Sequence, residues 1–74
     1  MARRRRFVLC VRNGTYKASL EPRKIYRVVD DPQAEARSLL RVIDESGEDY
    51  LYPREYFERI TLPKPLEQKL HRIA

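Results

Sequence analysis

The chain has 74 residues, with sixteen Lys and Arg against eleven Asp and Glu, one cysteine, one histidine and no tryptophan. A single cysteine excludes an internal disulfide, and this length has room for one domain with one small core. No apolar run approaches the ~18 residues of a membrane helix, so we expect a cytoplasmic protein with no membrane partner.

The positive charge is concentrated at the N-terminus, in Arg3, Arg4, Arg5 and Arg6. We interpret residues 1–6 as a disordered basic arm, which either contacts phosphates of a nucleic acid or only keeps the chain in solution. The remaining charges are nearly balanced. Acidic residues crowd positions 44–49 and basic residues fall in positions 17–24, which predicts opposite poles of the molecule.

Five strands are predicted within residues 7–62. The apolar run 7–11 ends before Asn13 and Gly14, and the β-branched and aromatic run 25–29 forms the second strand. Residues 33–37 are predicted to be a loop, because they are too few to hold an isolated helix.

Strands at residues 39–43 and 49–52 flank a turn in which Gly47 takes a positive φ, which predicts a hairpin. Pro53 ends the fourth strand and begins one helical turn through Tyr56, and residues 57–62 form the last strand.

Residues 63–74 are predicted to be a helical tail. Leu66, Leu70 and Ile73 recur at helical spacing after two prolines, and we expect this helix to cover an open end of the barrel. A partner or a second copy of the chain could pack on the same apolar stripe. The spacing of the strands predicts an all-β, five-stranded barrel.

Two segments carry a resemblance to a known fold. YLYPREYF, at residues 50–57, resembles the end of an SH3 domain, where an aromatic strand runs into Pro-x-x-Tyr and an apolar residue opens the last strand. LEPRKIYRV, at residues 20–28, resembles the segment by which such domains leave their first long loop. DESGEDYLYP is also similar to a stretch of short bacterial proteins of SH3-like fold that lack an assigned activity.

The resemblance implies a five-stranded SH3-like barrel over residues 7–62, with Pro53 and Tyr56 on a peptide-binding shelf. Leu39 and Leu40 stand where an SH3 domain carries its ligand-stacking tryptophan, so ordinary polyproline recognition is not implied.

Aromatic side chains are the candidate ligand-binding residues. Alternation along a strand places Tyr50 and Tyr52 on one face, and we expect them to be exposed while Leu51 points inward. The predicted shelf for a protein or peptide partner consists of Tyr26, Tyr50, Tyr52, Pro53 and Tyr56. Two alternatives stay open: the rings only seal the barrel, or they bind nucleic acid together with the basic arm.

Catalysis and cofactor binding are not expected. His71 falls in the C-terminal helix, Cys10 falls within an apolar strand, and a nucleophile needs a base beside it. The carboxylates between residues 44 and 49 lack the spacing of a calcium loop, so no metal is predicted. We therefore predict a monomeric, non-enzymatic binding module.

Overall fold

The computed structural model describes residues 6–73, with the side chains of residues 6–70. One five-stranded antiparallel sheet has the strand order β4-β3-β2-β1-β5. Its strands are β1 (Arg6–Cys10), β2 (Ile25–Val29), β3 (Leu39–Ile43), β4 (Asp49–Pro53) and β5 (Phe57–Ile60). The helices are α1 (Pro32–Ala36) and α2 (Lys64–Ile73), and a 3-10 helical turn (Arg54–Tyr56) joins β4 to β5.

The predicted all-β class is confirmed, and the hairpin of β3 and β4 is where it was predicted. Within residues 6–73 the sheet is open, because β4 and β5 are its two edge strands and do not pair with each other. Closure into a barrel requires the edge strands to meet. A closed SH3-like barrel therefore stays a prediction.

Arg6 belongs to the sheet, and its assignment to the N-terminal arm is wrong. Its backbone pairs with Val28, and its guanidinium lies 2.9 Å from an Asp30 oxygen and 2.6 Å from a Glu35 oxygen. A partly buried ion pair is screened less by solvent than an exposed one, so these carboxylates help to hold Arg6 in place. Arg3, Arg4 and Arg5 lie outside the described residues.

Helix α1 occupies the segment that was predicted to be a loop. The Asp31 carboxylate caps the helix by accepting the N–H of Ala34 at 3.1 Å, and Pro32 occupies the first turn, where no N–H is needed. Ala34 is buried, and α1 contacts β3. The cap and this tertiary packing stabilise a five-residue helix that would not form alone.

The two faces of the sheet differ in their burial. One face, here called the core face, carries most of the buried hydrophobic cluster. The loop between β1 and β2 adds Leu20 to this cluster. Its strand residues are Val8, Cys10, Tyr26, Val28, Leu40, Val42, Tyr52 and Phe57. The opposite face, here called the outer face, carries the alternating residues Phe7, Leu9, Ile25, Ile43 and Leu51.

Helix α2 lies beside the outer face. Leu70 lines a cavity together with Phe7, Ile25 and Ile43, and Phe7 is buried although it lies outside the main core. The C-terminal helix is thus confirmed, but it adjoins this face instead of an end of the sheet, and Leu66 stays exposed. Neither helix in the described part of the chain has the length and apolar character needed to cross a bilayer.

The charged segments 17–24 and 44–49 meet, so the prediction of opposite poles is wrong. The Lys24 ammonium lies 2.8 Å from a Glu45 oxygen. The backbone N–H of Glu45 also donates to the carbonyl of Ser19 at 3.0 Å. The β1–β2 loop and the β3–β4 turn are therefore neighbours in the fold.

Candidate ligand-binding surface

The β1–β2 loop, residues 11–24, places Tyr16 at the edge of the core. The Tyr16 N–H donates to the Asn13 carbonyl at 2.8 Å, and the Tyr16 carbonyl accepts from Ser19 at 3.1 Å and Leu20 at 2.9 Å. Leu20 is fully buried and anchors this part of the loop. The Tyr16 side chain remains 40% exposed, so its ring is available to a ligand.

Tyr56, in the 3-10 turn, packs beside the same loop. Its carbonyl accepts the backbone N–H of Val11 at 2.8 Å, and its ring lies against Gly14. A Cβ added to Gly14 would overlap the Tyr56 hydroxyl and lie 2.8 Å from the ring carbon Cζ. Gly14 also has a φ of +52°, so both conformation and close approach require glycine here.

Four aromatic rings meet where the loop reaches the 3-10 turn. The Tyr16 ring stands edge-on to Tyr52, with centroids 5.0 Å apart at 88°, and lies 6.2 Å from Tyr56 at 61°. Tyr52 in turn contacts Phe57 at 6.4 Å and 68°. Edge-to-face pairs of this kind stabilise a rigid arrangement. We call the two rings that reach solvent the Tyr16–Tyr56 surface.

Tyr52 lies beneath this surface, and the prediction that it is exposed is wrong. Its side chain is 3% exposed, and its hydroxyl donates to Asp44 Oδ2 at 2.5 Å. Burial, reinforced by this hydrogen bond, raises the pKa of Tyr52 to about 12. Tyr52 therefore supports the surface from below and cannot present its ring face to a ligand.

Asp44 is a buried carboxylate that the β3–β4 turn keeps charged. Burial opposes its ionisation, but hydrogen bonds from the hydroxyl and the N–H of Ser46 and from Tyr52 outweigh this effect. The pKa of Asp44 is consequently held below its ordinary value. The acidic turn thus contributes a structural acceptor for the core.

Tyr26 is also buried, contrary to the prediction that it belongs to an exposed shelf. Its hydroxyl donates to Glu45 Oε2 at 2.6 Å and accepts the Glu21 N–H at 2.8 Å. Burial, followed by the hydrogen bond to Glu45, raises the pKa of Tyr26. Its hydroxyl ties the β1–β2 loop to the β3–β4 turn and is not free for a partner.

The prediction that Tyr50 and Tyr52 share one face of β4 is correct, but the prediction of which face points inward is not. Tyr52 lies opposite Leu40 on the core face, whereas Leu51 lies opposite Arg41 on the outer face and is 41% exposed. The prediction that Leu51 points inward is therefore wrong. Tyr50 shares the face of Tyr52 but is 51% exposed, because it lies next to the hairpin turn.

Of the five predicted site residues, Tyr56 is half-buried at the surface, Pro53 is half-buried at the end of β4, and Tyr50 is exposed near the turn. The sequence interpretation missed Tyr16, which lies in a segment without strand periodicity. A usable signal was the turn pair Asn13-Gly14 just before it, which indicates a tight reversal that can direct a nearby ring toward the body.

The β1–β2 loop, which carries Tyr16, is rich in basic residues. The β1–β2 loop contains Arg12, Lys17, Arg23 and Lys24 against Glu21 alone. Lys24 is engaged by Glu45, while the first three of these cations form no ion pair within residues 6–70. The loop that carries Tyr16 therefore has three cations without an ion-pair partner among residues 6–70.

The thiol of Cys10 has a structural role, and a metal site does not emerge from the described acidic residues. The Cys10 thiol is fully buried, donates to the Arg12 carbonyl at 3.2 Å, and has a pKa raised by burial. Across the described residues, no group of three or more His, Cys, Asp or Glu side chains is arranged to hold a metal ion.

Comparison with protein-family models, with curated proteins and with solved structures finds no match to this chain.

Proposed function

We propose that this chain is a small non-enzymatic interaction module of SH3-like fold that binds an extended peptide of a partner protein on the Tyr16–Tyr56 surface. The observation that carries the proposal is the exposed Tyr16 ring, standing edge-on to Tyr52 and next to Tyr56. Rigid aromatic side chains contribute contact area at a low cost in conformational entropy. The proposal includes a monomeric, cytoplasmic chain of bacterial type.

Several features of the sheet support an SH3-like fold. A long loop separates β1 from β2, a hairpin joins β3 to β4, and the 3-10 turn precedes β5, which pairs with β1. Pro53 and Tyr56 stand at the two ends of the Pro-x-x-Tyr segment that carries the resemblance. Closure of the barrel is part of the proposal.

The charge around Tyr16 favours a peptide with acidic residues. Arg12 precedes and Lys17 follows Tyr16 in the β1–β2 loop. Within the described residues, neither cation forms an ion pair with a carboxylate. Complementary charge steers association and discriminates between partners. We therefore expect an extended segment with Asp or Glu to bind better than the same segment with Lys.

Amide chemical-shift mapping of the full chain tests this proposal. An extended peptide with acidic flanks should perturb amides of residues 12–17 and 54–57, and its lysine-flanked counterpart should perturb them less. Tyr16→Ala should weaken the affinity by about tenfold, as removal of a central aromatic contact does. Tyr50→Ala, which removes an exposed ring next to the hairpin turn, is the matched control and should have little effect.

Nucleic-acid binding is the alternative outcome, because Arg12, Lys17 and Arg23 would also attract phosphates. Single-stranded RNA should then produce larger shifts than either peptide, with an affinity that falls steeply with salt. If both peptides leave residues 12–17 and 54–57 unperturbed, the proposed peptide-binding function is wrong.

A further inference from the structure

The two edges of the sheet differ in the side chains that they expose. Within residues 6–73, β4 and β5 each pair with a neighbouring strand on one side only. The exposed residues of β5 are Glu58 and Arg59, and charged side chains of this kind hinder an edge strand from pairing with another chain. On β4, by contrast, Tyr50 is 51% exposed and Leu51 is 41% exposed. The middle of the β4 edge therefore lacks this protection.

The hydrogen bonds between β4 and β3 show which backbone groups point away from the sheet. The Glu48 carbonyl accepts the N–H of Asp44 at 3.1 Å, so residue 48 directs its backbone groups toward β3. The backbone groups of successive residues in an antiparallel strand alternate between its two sides. Asp49, Leu51 and Pro53 therefore direct their backbone groups toward the open side of β4.

The position of Pro53 agrees with this assignment. Proline has no N–H, so within a sheet it is found on edge strands, where its nitrogen faces away from the neighbouring strand. The next residue, Arg54, still donates its N–H to the Ser38 carbonyl at 2.9 Å. The pairing with β3 thus continues to the end of β4, and the open side offers the N–H groups of Asp49 and Leu51 and the carbonyl of Pro53.

The two ends of β4 carry opposite charges. Glu48 precedes the strand and Arg54 follows it, and both side chains are exposed. Neither forms an ion pair within residues 6–70, whereas Asp49 lies 3.3 Å from Arg41. When two copies of one strand run antiparallel, the beginning of each lies beside the end of the other. A second copy of β4 therefore brings opposite charges together at both ends.

One register combines this charge complementarity with hydrogen bonding. When Leu51 lies opposite Leu51 of the second copy, each Leu51 N–H faces the other Leu51 carbonyl. In the same register, each Asp49 N–H faces the Pro53 carbonyl of the other copy. Glu48 then lies opposite Arg54 of the second copy. The missing N–H of Pro53 removes a donor at each end but leaves these contacts in place.

The side chains near the centre of this register are apolar. Leu51 meets Leu51 of the second copy on the outer face, and Tyr50 lies opposite Tyr52 of the second copy on the core face. Pairing therefore removes from water both of the exposed apolar side chains of β4. Aromatic pairs and opposite charges that lie directly across two strands each stabilise the pairing.

The neighbouring registers are less favourable. With Tyr50 opposite Tyr50 of the second copy, Leu51 lies opposite the charged Asp49. With Tyr52 opposite Tyr52, Asp49 lies opposite Glu55, and like charges directly across two strands are destabilising. Charge and apolar contact therefore favour the register centred on Leu51.

We propose that two copies of this chain associate by antiparallel pairing of their β4 strands, centred on Leu51, with Glu48 of each copy beside Arg54 of the other. One strand pair buries less than the about 1,200–2,000 Å² of a stable interface, so the association is weak and reversible. A single chain remains the unit that binds a peptide in the proposed function. The pairing does not depend on the Tyr16–Tyr56 surface.

Sedimentation velocity of the full-length chain tests this association. The sedimentation coefficient should rise toward that of a dimer as the concentration increases from about 20 μM to about 1 mM, a range suited to a small interface. Amide chemical shifts recorded over the same range should change at residues 48–54. A chain that stays monomeric throughout this range overturns the proposal, as do shifts confined to residues 57–60.

Charge reversal tests the register. Glu48→Arg and Arg54→Glu should each weaken the association by about tenfold, because each places like charges opposite each other at both ends of the strand pair. An equimolar mixture of the two variants should associate as well as the unsubstituted chain, since every end contact then joins opposite charges again. An unchanged Tm in each variant shows that it is folded. A mixture that associates no better than either variant alone contradicts the proposed register.

Arg59→Glu is the matched control, because Arg59 is exposed on β5 at the opposite edge of the sheet. It should leave the association unchanged. A loss equal to that in Arg54→Glu would mean that β4 pairs with β5 of the second copy, which overturns the proposal.

A peptide with the sequence of residues 47–55 tests the other possible occupant of the edge. It should shift amides of residues 49–53 and compete with self-association. If the peptide shifts these amides in a chain that stays monomeric up to about 1 mM, the edge takes an extended segment of another protein instead of a second copy, and the proposal is wrong.

Discussion

The core face and the outer face of the sheet both carry apolar side chains, but different parts of the chain cover them. The β1–β2 loop and the 3-10 turn close over the core face, where Tyr52 is 3% exposed. On the outer face α2 adjoins Phe7, and Leu51 remains 41% exposed. One face is therefore sealed by fixed irregular structure, and the other is covered only in part.

The comparison shows why tyrosines, instead of leucines, occupy the interior of β2 and β4. Tyr26 and Tyr52 fill the core with their rings and extend their hydroxyls to Glu45 and Asp44 at the hairpin turn. A buried hydroxyl without a partner would cost about 1–3 kcal/mol, so ring and carboxylate must be positioned together. The outer face has no such requirement and tolerates partial exposure.

The largest expected effect is at the loop that seals the core face. Gly14→Ala should lower the free energy of unfolding by about 2–4 kcal/mol, because it combines left-handed strain with overlap on the Tyr56 ring. Chemical denaturation measures this loss. Gly47→Ala is the matched control, since Gly47 has a φ of +84° but no neighbouring atom within 4 Å of a Cβ. Gly47→Ala should lower the free energy of unfolding by about 1 kcal/mol. Equal losses in the two variants would mean that the loop is not closely packed.

A smaller effect is expected at the polar contact beneath the same face. Tyr52→Phe removes one hydrogen-bond donor from the Asp44 carboxylate, which still accepts hydrogen bonds from Ser46. The substitution should lower the free energy of unfolding by about 1–3 kcal/mol at pH 7. The cost should depend on pH because the pKa of folded Asp44 is depressed. Its charged form stabilises the fold above its unfolded pKa of about 3.9, and this contribution is lost as pH falls through the folded pKa.

The difference in unfolding free energy between the unsubstituted chain and Tyr52→Phe should therefore shrink when urea denaturation is repeated at successively lower pH, through the folded pKa of Asp44. Tyr50→Phe serves as the control, because its hydroxyl is exposed and lies 3.4 Å from Glu48. It should change stability little at any of these pH values. If the difference in unfolding free energy stays constant while folded Asp44 becomes protonated, ionised Asp44 is not the partner of Tyr52.

The smallest effect is expected on the outer face. Leu51→Thr should change the free energy of unfolding by less than about 0.5 kcal/mol, since Leu51 is half in solvent and threonine suits an edge strand. Leu40→Thr, at a buried position of the adjacent strand, should lower the free energy of unfolding several times more than Leu51→Thr does. Comparable losses at the two positions would mean that the outer face is sealed as well as the core face.

Local patterns accounted for most of the secondary structure. The apolar runs, Gly47 in the hairpin turn and Pro53 before the 3-10 turn predicted five strands and their order along the chain. Helix α1 was missed because its stability depends on the Asp31 cap and on burial of Ala34 against β3. A five-residue segment has too little helix propensity to show this alone.

The candidate site was predicted less well than the strands. Alternation placed Tyr50 and Tyr52 on one face but could not say which face the loop would cover. Tyr16 was missed because its contacts with Tyr52 and Tyr56 cross large distances along the chain, and no periodic pattern marks it.

The sequence by itself determined the all-β class, the boundaries of the strands to within a residue or two, and the hairpin, because these follow from side-chain period and turn chemistry. Only the tertiary structure decided which face of β4 is inward, that Arg6 joins the sheet, and that Tyr16 reaches Tyr56. The physical reason is that a period of two defines two equivalent faces, and burial is assigned only when distant segments pack on one of them.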